Sequence, residues 1–308
     1  MTVRIGTRRS PLALQQTRSV ADALEALLEA SVEIVAVTTR GDVDPAPLAS
    51  IGGTGVFVSA LREKLLDGSI DLAVHSLKDL PTAAAPGLVL AAVPRRADAR
   101  DALVGAPLAA LQPGSRVGTG SPRRAAALHA MGRRLAVLPV RGNIDTRLQL
   151  VHDGVLDAVV LATAGLLRLG RDDVPVQPLD PEVMPPAPGQ GALAVECRED
   201  VAPDLAAALA TLDDPASHVC VAAERAALAG LEAGCSAPVG AFAEVVDHQV
   251  VLRARVWSGD GTRVITGEAR GAPNDPVDLG RRLALDLLGQ GANDLISTPT
   301  PQPEETAL

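Results

Sequence analysis

Val3-Arg4-Ile5-Gly6-Thr7-Arg8-Arg9-Ser10-Pro11-Leu12-Ala13-Leu14 decides the fold. Val3–Ile5 reads as a strand, and Ser10-Pro11 are the residue types favoured at a helix N-cap and first helical position. Behind them Leu14, Val20, Leu24, Leu27 and Leu28 recur at helical spacing. A second strand at Val32–Thr38 then completes the opening of a βαβ rhythm. That rhythm implies a parallel or mixed sheet covered on both faces.

Outward from this unit the alternation continues. A glycine-rich loop, Gly52-Gly53-Thr54-Gly55, opens a helix over Phe57–Leu66, and strands are expected at Leu72–Val74 and Leu88–Val93. Past the charged stretch Arg95–Asp101 a second cycle begins. It has strands at Arg116–Gly118, Leu135–Val140 and Ala158–Leu161, with helices at Ser121–Met131, Ile144–Asp153 and Gly165–Leu169. Two similar α/β lobes suggest a cleft between them, and open α/β sheets bind ligands beyond their strand ends. The last third differs. Helices are expected at Pro203–Leu212 and Ala216–Leu231. Val250–Trp257 alternates, with Leu252, Ala254 and Val256 inward and Arg253 and Arg255 outward. Thr262–Arg270 is its partner strand across Gly259-Asp260-Gly261, and Val277–Leu288 is a closing helix. The tail Thr298–Leu308, rich in Pro, Thr and Glu, reads as disordered.

Composition narrows the function. Hydrophobic residues make up 47% but aromatics only 1%, so aliphatic side chains and alanine must pack the cores. A net charge of −9 weighs against nucleic acid as a partner. Apolar runs are broken well short of membrane-spanning length, and no basic–apolar–small leader precedes the first strand. A cytoplasmic protein without a membrane partner is expected. Cys197, Cys220 and Cys235 form no CxxC pair, which argues against a disulfide framework, and the five histidines are unclustered, which gives no case for a metal site.

Of the 28 basic residues only Lys64 and Lys78 are lysine. The arginines Arg8, Arg9, Arg123, Arg124, Arg141 and Arg147 fall just beyond strands or in the first turns of the following helices. Singly each could be a solvated surface residue. As a set they would aim guanidinium groups at a ligand with several carboxylates or phosphates. His75-Ser76-Leu77-Lys78-Asp79-Leu80-Pro81 is a rigid turn at a strand's end, where Asp79 could serve as a general acid and base or merely cap the turn. Gly234-Cys235-Ser236-Ala237-Pro238-Val239-Gly240 sets a cysteine in a tight loop, either as nucleophile or attachment point, or inert. Cys197 and Cys220 read as structural. The glycine-rich loop lacks the ending of a P-loop, so nucleotide binding is not supported.

Taken together, the sequence resembles the porphobilinogen deaminase family from about Arg4 to Asn293. The motifs that carry the resemblance come in the family's order. They are Thr7–Ala13, Thr39-Arg40-Gly41-Asp42, His75–Pro81, Ser121-Pro122-Arg123-Arg124, Arg141–Arg147, Pro188-Gly189-Gln190-Gly191-Ala192 and Gly234–Gly240. The resemblance implies an α/β fold of two periplasmic-binding-protein-like lobes around a cleft, plus a small C-terminal α+β domain with an antiparallel sheet. Residues 1–95 would form domain 1, with 193–212 returning to it, and 98–190 domain 2. Residues 213–295 would form the C-terminal domain carrying the cofactor cysteine, and 296–308 a disordered tail.

By the same resemblance, a dipyrromethane cofactor is held by a thioether to Cys235. Four porphobilinogen molecules are joined head to tail, with loss of ammonia, to give hydroxymethylbilane. Asp79 would be the catalytic carboxylate. Lys78, Thr119, Ser121, Arg123, Arg124 and Arg141 would hold the cofactor. Arg8, Ser10, Phe57, Arg147 and Arg168 would meet the substrate. The enzyme would act as a monomer and pass its product to the next tetrapyrrole-pathway enzyme. Two residues depart from the family pattern: Thr54, where members often carry lysine, and Pro122, where leucine is usual. A non-enzymatic binding protein for anionic solutes is the alternative reading of two α/β lobes.

Overall fold

Strands β1 (Thr2–Arg8), β2 (Ser31–Val37) and β3 (Leu72–Ser76) run parallel, β1 in the middle, in a computed structural model describing residues 2–28, 30–38, 58–234 and 237–297. Several sequence expectations lie outside those residues: the Thr39–Asp42 motif, the Gly52–Gly55 loop with Thr54, Phe57, Cys235 and the tail Thr298–Leu308. The chain divides into two compact units, residues 1–97 with 191–221, and residues 98–190 with 222–308.

In the first unit the sheet order is β2-β1-β3-β10-β4, where β4 is Leu88–Ala92 and β10 is Leu193–Arg198. β10 runs antiparallel to both of its neighbours. Helix α1 (Pro11–Leu28) starts as the sequence dictates: the Ser10 hydroxyl accepts from the Ala13 N–H at 3.2 Å, and Pro11 needs no partner for a missing N–H. Its buried residues Thr17, Val20, Ala21 and Leu24 follow helical spacing and pack on Val3, Ile5 and Leu72 of the sheet, together with Leu205 and Leu209 of helix α6 (Pro203–Leu212). Each fully buried leucine or isoleucine contributes roughly 1.5–3 kcal/mol. On the opposite face, helix α2 (Ser59–Leu66) brings Leu61 and Leu65 onto β1 and β3. There Gly6 leaves room for the packing: a Cβ on it would stand 2.3 Å from Ile70 Cδ1, so that side chain would have to move.

The second unit repeats the plan. Its sheet order is β7-β6-β8-β5-β9, with β5 at Asp101–Gly105, β6 at Arg116–Thr119, β7 at Ala136–Pro139, β8 at Ala158–Ala162 and β9 at Val176–Pro178. β6, β7 and β8 are parallel, and β5 is antiparallel to β8 and β9. Helices α3 (Pro122–Ala130), α4 (Ile144–His152) and α5 (Thr163–Arg168) follow β6, β7 and β8. Each lobe thus inserts one antiparallel strand, β10 or β5, between its third and last parallel positions. The stretch Arg95–Asp101, expected to be a connection, ends as the first residue of β5.

The remainder of this unit is an antiparallel sheet β11-β12-β13 (Val239–Val246, Gln249–Trp257, Val264–Gly271). Leu252, Ala254 and Val256 face inward as the alternation requires, and Leu279, Leu283 and Leu287 of helix α8 (Pro276–Gly289) are buried at i, i+4 spacing. Helix α7 (Pro215–Gly230) precedes this sheet and α9 (Ala292–Ser297) ends the described chain. Trp257, at the end of β12, is buried in the core beside Ala126, Leu128 and Met184. The α/β expectation, with two lobes and a small C-terminal antiparallel sheet, is met.

Candidate active site

In the first unit β3 ends in a 3₁₀ turn, Leu77–Asp79. Leu77 and Leu80 are buried among Val58, Val93, Ala194 and Val221, and the Leu77 N–H donates to the Ala192 carbonyl at 3.1 Å. These two anchors leave Lys78 and Asp79 half-buried between them. Asp79 lines a recess of about 60 Å³ with Arg8, Ser10, Gln16, His75 and Ser76. Its carboxylate makes no hydrogen bond or ion pair to any described residue. The floor of the recess is well ordered by contrast. Gln16 donates to the Ser76 hydroxyl at 3.2 Å. His75 Nε2 lies 3.1 Å from Glu196, which Arg62 grips through two nitrogens at 2.8 and 3.2 Å. Burial would raise the Glu196 carboxyl, but the His75 and Arg62 contacts outweigh it and hold it at about 2.

In the second unit β6 delivers Thr119, whose hydroxyl accepts from the Ser121 N–H at 3.1 Å. Ser121 caps α3 and Pro122 occupies its first position, so this departure from the family pattern suits the backbone there. Gly120 must be glycine, since a Cβ would stand 2.6 Å from the Val140 carbonyl. Arg123 and Arg124, 3% and 6% exposed, close on Asp101, which is 0% exposed. Arg123 Nη2 and Arg124 Nη2 each lie 2.7 Å from one Asp101 oxygen. Further donors go to the Pro185 and Val160 carbonyls, and Gln190 donates to Asp101 at 2.8 Å. Burial pushes the Asp101 carboxyl up, but the two guanidiniums overcome it and hold it at about 2.

Two guanidiniums on one carboxylate leave positive charge unbalanced, and the buried Arg123 Nε has no partner. Arg147 is half-buried, donates from Nε to the Gly142 carbonyl at 3.0 Å, and pairs with no carboxylate among the described residues. Burial, then the charge of Arg124, lowers its pKa. Burial lowers Arg168 likewise, at the end of α5, while Arg141 is exposed. Arg123, Arg124 and Arg147 hold three cationic groups out of water beside the single carboxylate of Asp101 among the described residues, an arrangement suited to taking an anion. Its donors suit a ligand bearing several carboxylates.

Residues 3–204 match the family model "Porphobilinogen deaminase, dipyromethane cofactor binding domain", and residues 218–289 match "Porphobilinogen deaminase, C-terminal domain". The chain is 52% identical to the porphobilinogen deaminase of Acidothermus cellulolyticus over 304 residues, covering 96% of this chain and 92% of that protein. It is 51% identical to porphobilinogen deaminase 1 of Streptomyces coelicolor over 310 residues, covering 96% and 97%. The chain belongs to the porphobilinogen deaminase family. Among solved structures it is similar to the methionine-binding protein MetQ, at 14% identity and a TM-score of 0.44, covering 68% of this chain and 89% of that one.

Family membership displaces the solute-binding alternative and makes the first two-thirds of the chain a dipyrromethane-binding domain. The donor set just described fits such a group, because each of its pyrrole rings carries two carboxylates. Of the residues assigned from sequence, Arg8, Ser10 and Asp79 share one recess, and Thr119, Ser121, Arg123, Arg124 and Arg147 lie together around the start of α3. Phe57 and Cys235 lie outside the described residues. Arg123 and Arg124 differ from expectation in spending most of their donors inside the protein. Sequence reasoning assigned no role to Gln16, Glu196, Arg62, Asp101 or Gln190. Their signal was a polar or charged residue on an otherwise apolar face, as Gln16 is in α1 and Glu196 in β10. Cys197 is buried, its thiol pushed up to about 11 by burial, and Cys220 is buried too. Among the described residues no His, Cys, Asp and Glu cluster could hold a metal ion, and no helix is long and apolar enough to cross a membrane.

Proposed function

We propose that this chain is a transferase that condenses four porphobilinogen molecules head to tail into hydroxymethylbilane, releasing ammonia at each addition. The observation that carries the mechanism is the Asp79 carboxylate, free of partners among the described residues yet fixed in a recess with Arg8 and Ser10. A dipyrromethane, held by a thioether to Cys235, would supply the pyrrole carbon to which the first ring is joined, each later ring joining the one added before it. Asp79 accepts pyrrole N–H groups, delivers a proton to the departing amine and stabilises the positive charge left on the ring. Arg8 and Ser10 orient substrate carboxylates, with Phe57 against the ring. Arg147 and Arg168 bind further substrate carboxylates, and Lys78, Thr119, Ser121, Arg123, Arg124 and Arg141 those of the cofactor.

On this reading residues 213–295 form the domain that carries Cys235. The enzyme works as a cytoplasmic monomer and hands its product to the next enzyme of tetrapyrrole synthesis. Intact mass tests the cofactor. The purified protein should exceed its polypeptide mass by two linked pyrrole units, and the Cys235→Ala variant should not. Failure to form hydroxymethylbilane from porphobilinogen, even after preincubation with either compound, would overturn the reading.

A further inference from the structure

The buried triad beneath the recess has no part in the roles assigned so far. Arg62 holds both oxygens of Glu196, and Glu196 faces His75 Nε2 at 3.1 Å, a contact out of line for a full hydrogen bond. A carboxylate only accepts, so a neutral imidazole here turns its N–H to Glu196 and keeps Nδ1 as the acceptor. The other nitrogen, Nδ1, has no partner among the described residues, and His75 is itself a wall of the recess that Asp79 lines. Residues from three chain segments therefore converge to fix one imidazole in the wall of the recess. Such an arrangement orients a ring for a ligand.

We infer that His75 is a ligand-contacting residue, whose Nδ1 accepts a hydrogen bond from a pyrrole N–H seated in the recess beside Asp79. This rests on the porphobilinogen reading above. It separates His75 from a residue kept only as the partner of Glu196. Asparagine reproduces an acceptor at the Nδ1 position, whereas glutamine reproduces the Nε2 position toward Glu196. His75→Ala is expected to lower kcat/KM on the order of 10- to 100-fold. His75→Asn recovers most of that loss, and His75→Gln recovers thermal stability without recovering kcat/KM. In the ¹⁵N-histidine-labelled Asp79→Asn protein, which turns over slowly, adding porphobilinogen shifts the Nδ1 resonance upfield and leaves Nε2 nearly unmoved. Recovery of kcat/KM by glutamine rather than asparagine, or an unmoved Nδ1 resonance at saturating porphobilinogen, would overturn the assignment. Wild-type protein that makes no hydroxymethylbilane would instead sink the functional reading itself.

Discussion

Two aspartates, one in each unit, are put to opposite uses. Asp101 is sealed from water and held between Arg123, Arg124 and Gln190, so it stays charged down to about pH 2. Asp79 is half-buried and its carboxylate is uncommitted. The backbone that bears it is fastened by Leu77 and Leu80 instead. The first arrangement builds structure from charge. The second keeps a charge available and builds its support from hydrocarbon. A residue's burial and partners, more than its type, decide whether it stabilises or reacts.

The sharpest way to break this contrast is to neutralise each aspartate. Asp79→Asn should lower turnover about 10²- to 10⁴-fold, the usual worth of a general acid and base, with the urea midpoint unchanged. Asp101→Ala should do the reverse in kind. It leaves two buried guanidiniums without their counter-charge, so urea titration should show a loss of about 3–5 kcal/mol. If the two variants behaved alike, the distinction would collapse.

Acid sharpens the comparison further. Asp101 and Glu196 have folded pKa values near 2, below their ordinary 3.8 and 4.5. A lowered carboxyl contributes stability that is complete above its ordinary pKa and is lost as pH falls through the folded value. Asp101 should contribute roughly 2 kcal/mol and Glu196 roughly 3 kcal/mol. The urea midpoint is therefore expected to hold above about pH 5 and to fall steeply between about pH 4.5 and pH 2. In Asp101→Asn that fall should be shallower. The smallest effect is reserved for Arg147, whose charge no described carboxylate balances. Arg147→Gln should raise KM roughly tenfold with little change in kcat, and should not destabilise the fold.

The turn that bears Asp79 was legible because its signal is local, a strand end, two leucines and a proline at His75–Pro81, although the residues that anchor the leucines come from elsewhere in the chain. The strand β1 and helix α1 were legible for the same reason, from Ser10-Pro11 and the leucine spacing. Asp101 was not. In a charged stretch it looks like a connection, and only Arg123 and Arg124, more than twenty residues on, make it the first residue of a buried strand. Glu196 is the same case at longer range, since Arg62 lies 134 residues away. The antiparallel insertion of β5 and β10 was likewise hidden, because strand order is set by which edges meet in three dimensions and leaves no periodic trace.

Trp257 gives the protein an optical asymmetry. It is the sole tryptophan, there is no tyrosine, and it lies within the core of the second unit beside Ala126 and Met184. Intrinsic emission is therefore a private signal of that unit. A red shift would announce water reaching the interior where β12 meets the lobe, while melting confined to the unit that holds Asp79 would leave the spectrum dark to the event.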